Sequence, residues 1–124
     1  MYKTFILIGA MFGALSVAIG AFGAHGLKSM LETAGRTDTF ETAVKYQFYH
    51  TFAILLMGLL LQKGENSLLN ISGWLFLAGI IVFSGSLYAL CFTGIRWLGA
   101  ITPIGGVAFI AGWLLLAWAV WKEV

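Results

Sequence analysis

The sequence predicts an all-α fold. It is an integral membrane four-helix bundle with a short amphipathic interfacial segment between the first and second spans. Three observations predict it. Hydrophobic residues make up 60% of the 124-residue chain and charged residues only 10%, against about 25% charged in a soluble domain. A chain this short has a large surface for its volume and would need more polar residues to dissolve. The charges also divide the chain into four uncharged stretches, each long enough to cross a hydrocarbon core about 30 Å thick at about 1.5 Å per residue. The composition argues against a soluble enzyme, a disordered chain and a coiled coil. Residues 1–124 form one transmembrane domain, with spans near 4–24, 42–62, 71–92 and 103–121.

The first stretch, Thr4 to Ala24, holds 21 uncharged residues. A signal-peptide core is usually about 7 to 15 residues long, so the stretch reads as a retained span, with a cleaved leader as the alternative. The connector to the second span carries Leu27, Met30 and Leu31 at i, i+3 and i+4. That spacing predicts a short amphipathic helix lying in the interface, ended by Gly35. The second helix is expected to start near Thr39, with Asp38 as its cap and Glu41 in capping-box spacing, and to run through Gln62. Phe40, Val44, Phe48 and Phe52 form one apolar stripe on it. Ala43, Gln47, His50 and Ile54 lie on another side.

The third stretch holds 30 uncharged residues, too few for two spans and a turn. Asn70 is the expected cap and Gly94 the expected C′ residue. Thr102-Pro103 reads as a cap and first helical residue, which starts the fourth helix at Pro103. The alternative is one longer helix from Trp97, kinked at Pro103; Gly105-Gly106 favours the first reading by weakening the helix there. The even span count puts Lys3, Lys63 and Lys122 on one side and Lys28, Arg36, Lys45 and Arg96 on the other. Three against four gives no positive-inside bias.

Small residues suggest how the helices pack. Gly9 and Gly13 make a GxxxG pair, continued by Ser16, Gly20 and Ala24. Such rows let backbones approach in lipid, where no hydrophobic drive brings helices together. The first span therefore reads as a helix for the middle of the bundle or for a subunit interface. Four of the five tryptophans mark membrane interfaces; Trp113 sits deeper.

Few residues can carry chemistry. The basic residues form no patch, so no nucleic-acid partner is implied. The single cysteine, Cys91, allows no intrachain disulfide and no multi-cysteine metal site. No cofactor is implied, and no GxSxG, HExxH or GxxxxGK[ST] motif is present. His25 and His50, at the facing ends of an antiparallel pair, are expected on one membrane side. A polar cluster of His25, Gln47, His50, Tyr88 and Arg96 follows, because buried polar groups in lipid need partners. It reads first as a structural network, second as a proton or ion site, third as a metal or haem site. The absence of a carboxylate inside any span weakens the second, and two histidines without further ligands weaken the third. Ser84 and Ser86 can bond their own helix carbonyls.

The stretches Gly20-Ala21-Phe22-Gly23-Ala24-His25-Gly26-Leu27, Tyr46-Gln47-Phe48-Tyr49-His50, Gly85-Ser86-Leu87-Tyr88 and Ile101-Thr102-Pro103-Ile104-Gly105-Gly106 together resemble the family known as domain of unknown function 423. Its members are small four-span membrane proteins, mainly bacterial, to which human transmembrane protein 256 is similar. The resemblance covers nearly the whole chain. It implies signature positions at His25, Gln47, His50, Tyr88, Thr102, Pro103 and Gly106, and a bacterial plasma or inner membrane location. It implies no biochemical activity. The leading expectation is a non-enzymatic structural or accessory protein that binds membrane lipids, a second copy of itself or a small membrane partner. The alternative is a component of a small oligomeric transporter or channel using the His/Gln cluster.

Overall fold

A computed structural model describes residues 1–123. Six helices follow in order: α1 (Tyr2–His25), α2 (Lys28–Ala34), α3 (Thr37–Leu61), α4 (Ser67–Gly79), α5 (Gly85–Thr93) and α6 (Leu98–Glu123). A π-helical segment, Ile80–Ser84, joins α4 to α5, and the three run as one continuous rod. Four rods are long and apolar enough to cross a membrane: α1, α3, the α4–α5 rod and α6. α2 is the extra, non-spanning helix.

α3 is the centre of the bundle. α1 packs along one of its sides, the α4–α5 rod along another, and α6 covers that rod. The core gathers Phe5, Ile54, Met57, Phe76, Ile80 and Phe109. A smaller cluster at the α2 end joins Leu31, Phe40 and Cys91. α2 thus docks through Leu31, while Met30 stays exposed. Gly35 ends α2 at φ 68°, and Arg36 N–H reaches back to the Leu31 carbonyl at 2.9 Å. Only glycine enters that left-handed region without steric cost.

Several helix starts differ from the sequence expectation. α3 begins two residues earlier, and Asp38 lies in its first turn without a capping bond. A carboxylate there still meets the positive end of the helix dipole. The Asn70 cap is corrected to Asn66, whose side chain accepts from Leu68 N–H at 2.9 Å and Leu69 N–H at 3.1 Å. α6 begins at Leu98, so Pro103 lies inside it and the alternative of one longer helix describes its start. Gly105 does not end a helix but lets two approach: a Cβ there would meet the backbone of Phe83 in the π-helical segment. The aromatic stripe of α3 also turns out differently. Phe40 is buried but Phe52 is exposed, and the buried face carries Ala43, Gln47, His50, Ile54 and Met57.

Met1 and Glu123 lie at one end of the bundle, as four spans require. The Met1 ammonium pairs with Glu65 at 3.1 Å, and Asn66 donates to Glu123 at 2.7 Å. Asn70 also donates to Glu65, at 3.0 Å. The Asn70 bond, and after it the terminal ammonium, hold the Glu65 carboxyl below its ordinary value.

Candidate functional site: a polar band across the bundle

Several buried polar groups are shared between helices, while Ser16 and Thr51 bond carbonyls of their own. Tyr88 on α5 donates to Gln47 Oε1 on α3 at 2.6 Å. Ser84 donates to the Ala43 carbonyl of α3 at 2.7 Å. Ser86 meets the Thr102 hydroxyl of α6 at 2.6 Å, and Ser72 donates to the Gly112 carbonyl of α6. The expectation that Ser84 would bond its own helix is corrected, and Ser86 does so only in part, through the Phe83 carbonyl at 3.0 Å. In an apolar surround each such group must find a partner, and here the partner is a neighbouring helix. The Gln47 amide nitrogen is buried and has no partner among the described residues.

His50 forms the other half of the band. Its Nδ1 lies 2.8 Å from the Tyr46 carbonyl, and Trp113 Nε1–H donates to its Nε2 at 3.0 Å. The carbonyl can only accept and the indole can only donate. The ring is therefore neutral, with its proton on Nδ1. It stacks on Phe109 with centroids 3.5 Å apart and planes within 8°. Gln47 and His50 share a helix side but no hydrogen bond joins them.

His25 is the main departure from the expected cluster. Gly23 faces Phe40, Gly20 faces Val44, Gly13 faces Thr51 and Gly9 faces Leu55. That pairing sets His50 level with Gly13 and Ala14. His25 is roughly eleven residues further along α1, about 17 Å at 1.5 Å per residue. His25 is exposed at a helix end, whereas His50 is buried near the middle of α3. The two cannot ligate one ion, and the shared His25–His50 network is corrected to a His50–Trp113 pair. Arg96 is exposed in the α5–α6 turn and stands outside the band. No group of three or more His, Cys, Asp or Glu that could hold a metal occurs among the described residues.

The small-residue positions also sort themselves. Gly9 is buried, and a Cβ there would press on the Leu55 side chain. Gly20 would meet Val44 at 3.4 Å, an ordinary contact, while Gly13 and Gly106 have nothing nearer than 3.9 Å. Thr102 bonds Ser86, and Pro103 is exposed. Sequence reasoning missed Trp113 and Phe109 as partners of His50. The depth of Trp113 was the available signal. For the π-helical segment, Ile80-Ile81-Val82-Phe83-Ser84, the sequence carries none.

The second feature of note is a groove of about 490 Å³ where α1, α2 and α3 meet. Gly20 and Val44 form part of its floor, and Lys28, Glu32, Glu41 and Lys45 stand around it.

The comparisons with known proteins agree on kinship. The UPF0382 membrane protein of Staphylococcus haemolyticus is 48% identical over 98% of both chains. The UPF0382 membrane protein of Staphylococcus saprophyticus is 48% identical over 97% of this chain and 98% of its own. The UPF0382 membrane protein YwdK of Bacillus subtilis is 44% identical over 97% of this chain and 98% of its own. No solved structure matches the chain significantly. The model of a family described as "Protein of unknown function (DUF423)" matches residues 19–106, the region that holds the groove, the π-helical segment and most of the polar band. The chain belongs to that family, a group of small multi-pass membrane proteins.

Proposed function

We propose that this protein is a non-catalytic accessory of the bacterial cell membrane, a rigid four-span body that acts by holding lipid at its surface. One observation carries the reading. Most of the buried polar side chains between α3, the α4–α5 rod and α6 pair across helices, so the band closes the bundle instead of lining a path through it. Ser72, Ser84, Tyr88 and Trp113 each donate to a specific acceptor on another helix, and the Ser86 and Thr102 hydroxyls meet across α5 and α6. A proton or solute path needs groups that exchange partners; these donors are occupied, and the Gln47 amide nitrogen is the one open group of the band among the described residues.

The test is the oligomeric state in mild detergent, with bound lipid identified by mass spectrometry. The reading expects a small particle that retains phospholipid. A symmetric oligomer that encloses Gln47 and His50 and carries ion flux in vesicles would replace it with the transporter reading.

A further inference from the structure

The groove between α1, α2 and α3 has an unusual rim. Lys28 and Glu32 are four residues apart on α2, and Glu41 and Lys45 are four apart on α3. That spacing suits helical ion pairs. Yet among the described residues the only ion pair is Met1 with Glu65, at the other end of the bundle. The four rim charges are unpaired. Two cations and two carboxylates therefore face a space of about 490 Å³.

The groove also sits at a defined depth. Lys45 is the last charge before the uncharged run 46–62 of the second span, which places the rim at headgroup level. The floor at Gly20 and Val44 is apolar. Above it α2 lies across the opening, anchored by Leu31, which is 2% exposed. The lysine stems can run along the floor with their ammonium groups at the surface.

We infer that this groove binds one phospholipid whose headgroup carries both a phosphate and a primary ammonium. The proposal rests on the lipid-holding reading above and names its ligand. The phosphate meets Lys28 and Lys45, each a charge-assisted donor. The ammonium meets Glu32 and Glu41, which can only accept. A quaternary ammonium has no N–H to give them. A headgroup with a phosphate alone would leave both carboxylates facing an anion.

Native mass spectrometry of the full chain in detergent tests this with phosphatidylethanolamine, phosphatidylcholine and phosphatidylglycerol of identical acyl chains. Phosphatidylethanolamine is expected to be retained most tightly, by about tenfold for each charge-assisted bond the others lack. Glu32→Gln with Glu41→Gln should erase that preference while leaving a phospholipid bound. Lys28→Ala with Lys45→Ala should weaken all three lipids. Gly20→Trp should fill the floor and remove retention. Equal retention of all three, or stronger retention of phosphatidylglycerol, would overturn the headgroup assignment but leave the lipid-holding reading standing. Preference for phosphatidylethanolamine that survives both glutamate changes would move the site elsewhere. If the native chain retains no phospholipid at all, the lipid-holding reading falls with it. The four charged residues are exposed, so circular dichroism of these variants is expected to match the native chain.

Discussion

Trp113 on α6 donates its indole N–H to His50 Nε2 on α3 across 3.0 Å, and this bond fixes which nitrogen of the histidine carries a proton. Trp113→Phe keeps an aromatic ring against Phe76, removes the donor and trims the fused pyrrole ring. Nε2 is then left unpaired among aromatic rings, at a cost of about 1–3 kcal/mol. His50→Leu strands the indole N–H instead, and His50→Gln, which keeps an acceptor, is expected to cost less. Thermal unfolding in detergent ranks the three. Equal melting of Trp113→Phe and the native chain would show that the bond contributes nothing.

Gly105 is where α6 comes closest to the π-helical segment. A Cβ there meets the backbone N and Cα of Phe83, which cannot rotate away. Gly105→Ala is therefore expected to destabilise by about 1–3 kcal/mol through overpacking. Gly13→Ala, whose new methyl would lie 3.9 Å from Thr51, is expected to be neutral or slightly stabilising by helix propensity. Melting temperatures in the same detergent should separate the two, and a reversed order would contradict the packing described.

The contrast between these glycines shows how far the sequence could be read. Span number, the short interfacial helix and the Gly35 stop follow from charge spacing, amphipathic period and turn chemistry, all of which are local. Gly9 and Gly13 look alike in sequence and share one face of α1, yet one meets Leu55 closely and the other lies 3.9 Å from Thr51, because contact depends on the side chain opposite. The rotation of α3 about its own axis exposes Phe52 and buries Gln47. Tyr88 and Gln47 were both legible as polar residues needing partners, but not as partners of each other. Their pairing depends on where the rod after the π-helical segment points. Gly105 misled for a related reason: in lipid, a glycine that weakens a helix can be kept because it lets a second backbone approach.

Ser84→Ala tests the link between that segment and α3. It removes the bond to the Ala43 carbonyl and leaves the carbonyl without that donor. A loss of about 0.5–1.5 kcal/mol is expected, with faster amide exchange along residues 80–84. Unchanged exchange there would mean that the π turn is held by packing alone.

Glu65 ties the chain start to the α3–α4 turn. Because its folded pKa lies below the ordinary 4.5, the tie contributes stability above that value and loses it as pH falls through the folded pKa. The native chain is expected to melt higher than Glu65→Gln at neutral pH. The gap should close as the pH is lowered below about 4.5. A gap that persists in acid would assign the effect to something other than this carboxylate.

Labelling of single introduced cysteines, in a chain with Cys91 replaced by serine, tests the topology. Lys3 and Lys63 should report one membrane face, and Arg36 and Arg96 the other. Arg36 reporting with Lys3 would contradict the four-span arrangement.

The placement of α1 has a consequence for synthesis. It rests on α3 along its length and reaches α4 through Phe5, and much of its surface is left facing outward. The ribosome delivers it before α3 and α4, when neither partner exists. It must therefore stay in the bilayer as a lone helix, with Gly9 and Gly23 uncovered, until α3 emerges. Its high apolarity suits that wait, since it needs no neighbour to be stable in lipid. Helix pairing here is a step that follows insertion.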